Sequence, residues 1–255
     1  LQSKGIVGFT DGIKTIQNTR IMSRIMNSAK DLNSLIMQHA EDFELANNGM
    51  INDGIIATKL GLQGIPEIAE LVIIERDLTL LESIKCRYHI SQISSAKSVE
   101  IIKERKNNVN FTCGVSINNL SLNENDIGDF RTFFKLSPPL RTEEDRINLV
   151  KGLSDGIIDV IVSDHKPEDE ENKRLTFAQA ETGASGIETL LSLSLELYHN
   201  GSVKLETIIK ALTSNPAKIL KIDKGNLNIG SDADFCIVDL NKPWIVKQEN
   251  LNSKS

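Results

Sequence analysis

The sequence predicts an α/β fold of the (β/α)8 barrel type, and three observations predict it. Short, continuous apolar runs recur along the chain, as expected of strands covered on both faces. Longer stretches with helical periodicity separate them, which implies parallel strands joined by right-handed crossovers. No Gly-x-Gly-x-x-Gly turn supports the rival open sheet with a dinucleotide site. The 255 residues and 40% apolar content suffice for one large core.

The expected strands are 6–9, 35–38, 87–90, 109–115 and 157–162. About five strand–helix units are therefore present, part of an eight-stranded barrel. Helices are expected over 15–32, 65–83 (with Pro66 in its first turn) and 95–107. Thr142-Glu-Glu-Asp145 reads as a capping box, and Asn215-Pro216 as a cap followed by proline at the first helical position. After Leu220, turn residues precede the short apolar run Phe235-Cys-Ile-Val238. Residues 1–220 are thus assigned to a partial barrel and 221–255 to part of a small β domain. The opening run Gly5-Ile-Val-Gly-Phe9 reads as a buried strand, so further chain, including the first barrel strands, is expected before Leu1.

The net charge of −6 argues against a nucleic-acid surface, and no apolar run has the length of a membrane span. The three cysteines, Cys86, Cys113 and Cys236, are odd in number and widely spaced. They read as reduced core residues of a cytoplasmic protein.

Barrel active sites lie where strands end. Asp11 follows the first strand, His39 the second, and Asp164 and His165 the last. Imidazole and carboxylate are the ligands of hydrolytic zinc sites, and a carboxylate there can take a proton from water. Each has a plainer role open to it: Asp11 as a helix cap, His39 as a structural hydrogen-bonder, Asp164 as a turn residue. His89, inside a strand, reads as a satisfied buried group. His199 reads as a cation near a helix C-terminus, and the charged run 168–174 as a solvated loop over the active-site face.

Several segments, in order and over nearly the whole chain, resemble the long-form bacterial dihydroorotases of the amidohydrolase superfamily. They are His39-Ala-Glu-Asp42, Ser137-Pro-Pro-Leu-Arg141, Gly156-Ile-Ile-Asp-Val-Ile-Val-Ser-Asp-His165, Gly186-Ile-Glu-Thr189, Thr213-Ser-Asn-Pro-Ala217 and Gly230-Ser-Asp-Ala-Asp234. The resemblance implies a barrel with a small β domain and the reversible cyclisation of N-carbamoyl-L-aspartate to dihydroorotate. It implies zinc, with Asp11, His39 and Asp164 at metal positions and Asp164 as the catalytic proton shuttle. Ser137, Glu168 and Gly183 fall at substrate-binding positions.

The chain also departs from the family pattern. Gln92 stands where a histidine ligand is usual, and a carboxamide oxygen is a poor substitute for imidazole on zinc. Ser137 replaces an asparagine. Glu168 replaces a histidine and is expected to repel an anionic substrate. These departures favour a catalytically impaired homologue, kept as an oligomeric structural partner of aspartate transcarbamoylase. The alternative is an active, zinc-dependent dihydroorotase.

Overall fold

The computed structural model describes residues 5–253. In chain order its elements are α1 (Thr19–Asp31), β1 (Leu35–Gln38), α2 (Phe43–Ala46), β2 (Ile51–Asn52), α3 (Ile55–Leu60), β3 (Gly64–Ile65), α4 (Ile68–Ile84), β4 (Arg87–Ile93) and α5 (Ala96–Arg105). Then follow β5 (Thr112–Ser116), α6 (Ile117–Ser121), α7 (Glu143–Ser154), β6 (Val160–Val162), α8 (Glu170–Lys173), α9 (Leu190–His199), α10 (Leu205–Leu212) and α11 (Ser214–Leu220).

The main sheet has the order β1-β4-β5-β6, every pair parallel. Phe9 extends it beyond β1 through one parallel bridge to Ile36, which is all that forms of the strand expected over 6–9. The other expected strands are present, although the one expected from Val109 begins at Thr112 and the one expected from Ile157 begins at Val160. This is the strand–helix layering of a β/α barrel, with strand C-termini gathered at one end.

Local chemistry explains the helix starts. Asn18, Asp42, Ser95 and Thr142 each accept a backbone N–H with their side chains, and Thr142–Asp145 forms the expected capping box. The start of α11 differs from expectation. Thr213 occupies the cap position, and Asn215 lies inside the helix, donating its amide to Asp159 O at 2.8 Å. A tertiary bond therefore outweighs the local capping preference.

The core runs under the main sheet. Met22 and Met26 of α1, Ile73, Ile74, Leu78 and Leu81 of α4, and Ile90, Cys113 and Val115 of the strands are all buried. A smaller cluster of Ile51, Ala57, Ile127 and Phe177 lies under the insertion that carries β2 and β3.

After Leu220 the chain forms no strand among the described residues. Leu227, Ile229, Phe235 and Ile237 are exposed, and so is Cys236, contrary to its expected place in a core. An isolated strand has no partner for its backbone groups, so this apolar run stays irregular.

Candidate active site at the strand ends

Three strand ends bring chemistry together. β6 delivers Asp164, whose backbone turns into the left-handed region (φ 49°) directly after the strand. β4 delivers Gln92, whose Nε2 donates to Asp164 Oδ1 at 2.9 Å. β5 ends in Ser116, whose hydroxyl donates to Asp164 Oδ2 at 3.3 Å. Burial pushes the Asp164 carboxyl above its usual range, while the Gln92 and Ser116 donors pull it back by favouring the charged form. A carboxyl balanced in this way can both take and release a proton.

His39, at the end of β1, is buried. Its backbone carbonyl accepts from Thr15 Oγ1, and its Nε2 lies 3.4 Å from Ser137 Oγ. Burial holds its pKa down to about 4, so the ring is neutral at physiological pH. Ser137, Asp164, Lys166 and Gly183 line one cavity of about 610 Å³, with Glu41 and Lys14 on its other walls. Asp11 sits apart: it is exposed and lines a different groove with Phe9, Arg24 and Gln38.

The residues present fit a metal centre only in part. His39 is in the neutral form a metal needs, but Asp164 is engaged by a carboxamide N–H. No group of three or more His, Cys, Asp or Glu side chains converges among the described residues. Catalytic zinc sites use three protein ligands, so this donor set by itself does not make one.

Glu168 does not present a bare negative charge. Its carboxylate pairs with Lys166 Nζ at 3.1 Å and lines a neighbouring cavity with His165 and Pro167. The charged run 168–174 is also tethered rather than fully solvated. Lys173, buried, donates to Thr132 O at 3.0 Å and Glu181 O at 2.8 Å. Lys135 donates to the carbonyls of Phe177, Ala178 and Ala180. These ammonium groups satisfy carbonyls of an irregular segment that has no sheet to pair with. His165 is occupied too, its Nδ1 accepting from the backbone of Gly186 at 3.2 Å.

Sequence reasoning missed Arg141 and Glu70. Arg141 is buried and donates to Ser94 Oγ (3.1 Å), Asn52 Oδ1 (2.9 Å) and Ile65 O (2.7 Å). Glu70, also buried, accepts from Ser94 N and from the hydroxyls of Ser94 and Ser98. A glutamate on the apolar face of α4 was the available signal, since a carboxylate is rarely buried without partners.

His89 behaves as expected of a buried group. Its Nδ1 lies 2.8 Å from Thr112 Oγ1. Burial holds its pKa down to about 4; Asp159 opposes this and Lys106 adds to it. The unfolded chain therefore takes up a proton near pH 6.5 that the folded chain refuses until about pH 4. Stability present above pH 6.5 is lost as pH falls towards 4, by about 3 kcal/mol for a shift of this size. His39 acts in the same direction. His89→Gln should therefore make the acid-side fall shallower, read from urea midpoints at pH 7 and 4.5. An unchanged slope would show that His89 does not drive it.

Comparison with known proteins places this geometry. The model of the amidohydrolase family matches residues 4–254. A protein named dihydroorotase from Ehrlichia canis (strain Jake) is 43% identical over 257 residues, covering 100% of this chain and 58% of that protein. The dihydroorotase of Anaplasma phagocytophilum (strain HZ) is 39% identical with the same coverage. The chain thus spans about 58% of the length of these relatives. Among solved structures, the L-hydantoinase (dihydropyrimidinase) of Arthrobacter aurescens superposes with a TM-score of 0.79 at 26% identity, over 91% of this chain and 55% of that one. The dihydroorotase of Saccharomyces cerevisiae, solved with 5-fluoroorotic acid, shares the fold with a TM-score of 0.68 at 15% identity, over 87% of this chain and 62% of that one.

Proposed function

This chain belongs to the amidohydrolase family, among the bacterial dihydroorotases, and we propose that it carries the proton-transfer face of a working dihydroorotase, interconverting N-carbamoyl-L-aspartate and dihydroorotate in pyrimidine synthesis. The observation that carries this reading is the Asp164 carboxyl. It is part-buried at the end of β6, in the cavity shared with Ser137 and Gly183, between two hydrogen-bond donors. In the ring-opening direction, water adds to the ring amide carbonyl and the carbon–nitrogen bond breaks. Asp164 takes the proton of the water and returns it to the departing nitrogen. In ring closure the same proton travels the opposite way. Gln92 and Ser116 hold the carboxylate in place between the two transfers.

The family is metal-dependent, and His39 and Asp164 are the residues of this chain that would face such a metal; by themselves they do not complete a site. Residues 1–220 act as the barrel part and 221–255 as part of a small β domain, in a cytoplasmic protein. One observation favours a second reading. The Gln92 carboxamide stands against Asp164 where a ligand would face a metal, as in a barrel that has lost the reaction and serves as a structural partner of aspartate transcarbamoylase.

One experiment separates the two. The full-length protein, purified with zinc present, is assayed for dihydroorotate hydrolysis and for co-purification with aspartate transcarbamoylase. Turnover is expected. Its absence, together with a stable complex, would establish the second reading instead.

A further inference from the structure

We propose that the opposite end of the main sheet carries an anion site, a cavity at the N-terminal ends of β1, β4 and β5 that binds a polyphosphate. The inference is independent of the dihydroorotase reading, because Gln92, Ser116 and Asp164 lie towards the C-terminal ends of their strands.

The cavity has a volume of about 580 Å³, in the usual range for small-molecule sites. Buried Leu81 and Phe111 give it an apolar floor. Its rim carries five cations, Lys30, Lys85, Arg87, Lys218 and Lys221, against one acid, Glu82. This concentration runs against the net charge of −6 for the whole chain. Glu82 is already engaged by Arg105 Nη1 at 3.0 Å. None of the five cations pairs with an acid among the described residues.

Helix dipoles use up only part of this charge. α1, α4 and α11 all end at the cavity, and a cation beside a helix C-terminus is favourable. Each C-terminus is worth about half a negative charge, so the three helices and Glu82 together offset roughly half of the five. A surplus of about two to three positive charges remains. That is more than a single carboxylate neutralises, and it matches a polyphosphate, whose oxygens suit clustered Arg and Lys donors.

The cations are also placed with some constraint. Arg87 Nη1 donates to Asn33 O at 3.3 Å and Nη2 to Ile219 O. A guanidinium has five N–H donors, so most of its capacity stays open. Burial lowers its pKa from the ordinary arginine value, the mark of a cation desolvated without a full counter-charge. Lys85 (φ 58°) and Lys221 (φ 54°) stand at the left-handed positions that close α4 and α11. Glycine is the usual residue there, and a lysine is conformationally costly. Charge has therefore been placed at two points where backbone preference argues against it.

The test titrates inorganic triphosphate, ATP and adenosine into the full-length protein by calorimetry in magnesium-free buffer. The titrations are repeated with the Lys85→Gly/Lys221→Gly double variant and with Lys166→Gln, which removes a cation of the strand-end cavity. Glycine relaxes the backbone at both lysine positions, so the double variant should melt no earlier than the wild type. Both triphosphate probes should bind and adenosine should not. Tighter binding of ATP supports the site with an organic phosphate as its ligand, and equal affinity supports it with the free anion. The double variant should bind both probes about 100-fold more weakly, about tenfold for each lost charge-assisted contact. Lys166→Gln should bind them as the wild type does. The inference is overturned by any of four results: no saturation at millimolar triphosphate, adenosine binding as tightly as ATP, an unchanged affinity in the double variant, or an equal loss in Lys166→Gln.

Discussion

Asp164→Asn is expected to lower dihydroorotate turnover by about 100- to 10,000-fold, the usual worth of a positioned general acid–base group. The substitution is nearly isosteric. The new carboxamide oxygen can still accept from Gln92 Nε2, so the contact between β4 and β6 survives. What disappears is a site that can hold a proton and release it. The loss should therefore fall on kcat, with the melting temperature nearly unchanged. The pH profile supplies a second check. Because burial raises the Asp164 carboxyl above its ordinary range, the acid limb of activity should fall at a higher pH than a solvent-exposed aspartate would give. It should vanish from whatever activity the variant keeps. Full turnover in Asp164→Asn would remove this residue from the mechanism.

The barrel strands were legible because their apolar runs are continuous and sit beside strong helix signals. Leu35–Gln38 matches residue for residue, and the Thr142 cap is where the sequence places it. The insertion with β2 and β3 was not legible. Its strands have two residues each, too short for any periodicity to register, and tertiary contacts alone hold them. The strand-end positions of Asp164 and His39 were legible, because position after a strand is a local property. The pairing of Lys166 with Glu168 was not. From the sequence alone Glu168 is an acid at a substrate position; only the folded turn shows that a neighbouring ammonium answers it. Asp11 is the opposite case. It follows the first strand as expected, yet that strand amounts to one bridge at Phe9, and Asp11 stays exposed outside the cavity. A strand that does not extend does not deliver its last residue to the common end.

Arg141→Met should be the most damaging single change for stability, about 3–5 kcal/mol by denaturant unfolding of the full-length protein. The reason is the charge it leaves behind. Arg141 is the cation of a buried network with Glu70 on one side, through Ser94, and Glu124 on the other, through Asn52. Glu124 N in turn donates to Arg141 O at 2.8 Å. Methionine fills similar space but leaves the buried carboxylates of Glu70 and Glu124 without the cation their network joins them to. Lysine should recover little of the loss. Arg141 uses two of its nitrogens, Nε and Nη1, in a fixed fork to reach three acceptors on three segments, and a single ammonium cannot span them. The damage should reach the site. Ser94, just past the end of β4, lies two residues beyond Gln92, and Ser137 lies four residues before Arg141. Loosening the fork therefore loosens both the donor to Asp164 and the hydroxyl beside His39. Removing Glu70 together with Arg141, as Glu70→Gln with Arg141→Met, should recover part of the stability because one orphaned charge goes with its partner. If the double variant is as unstable as the sum of the single ones, Arg141 acts by packing rather than by charge.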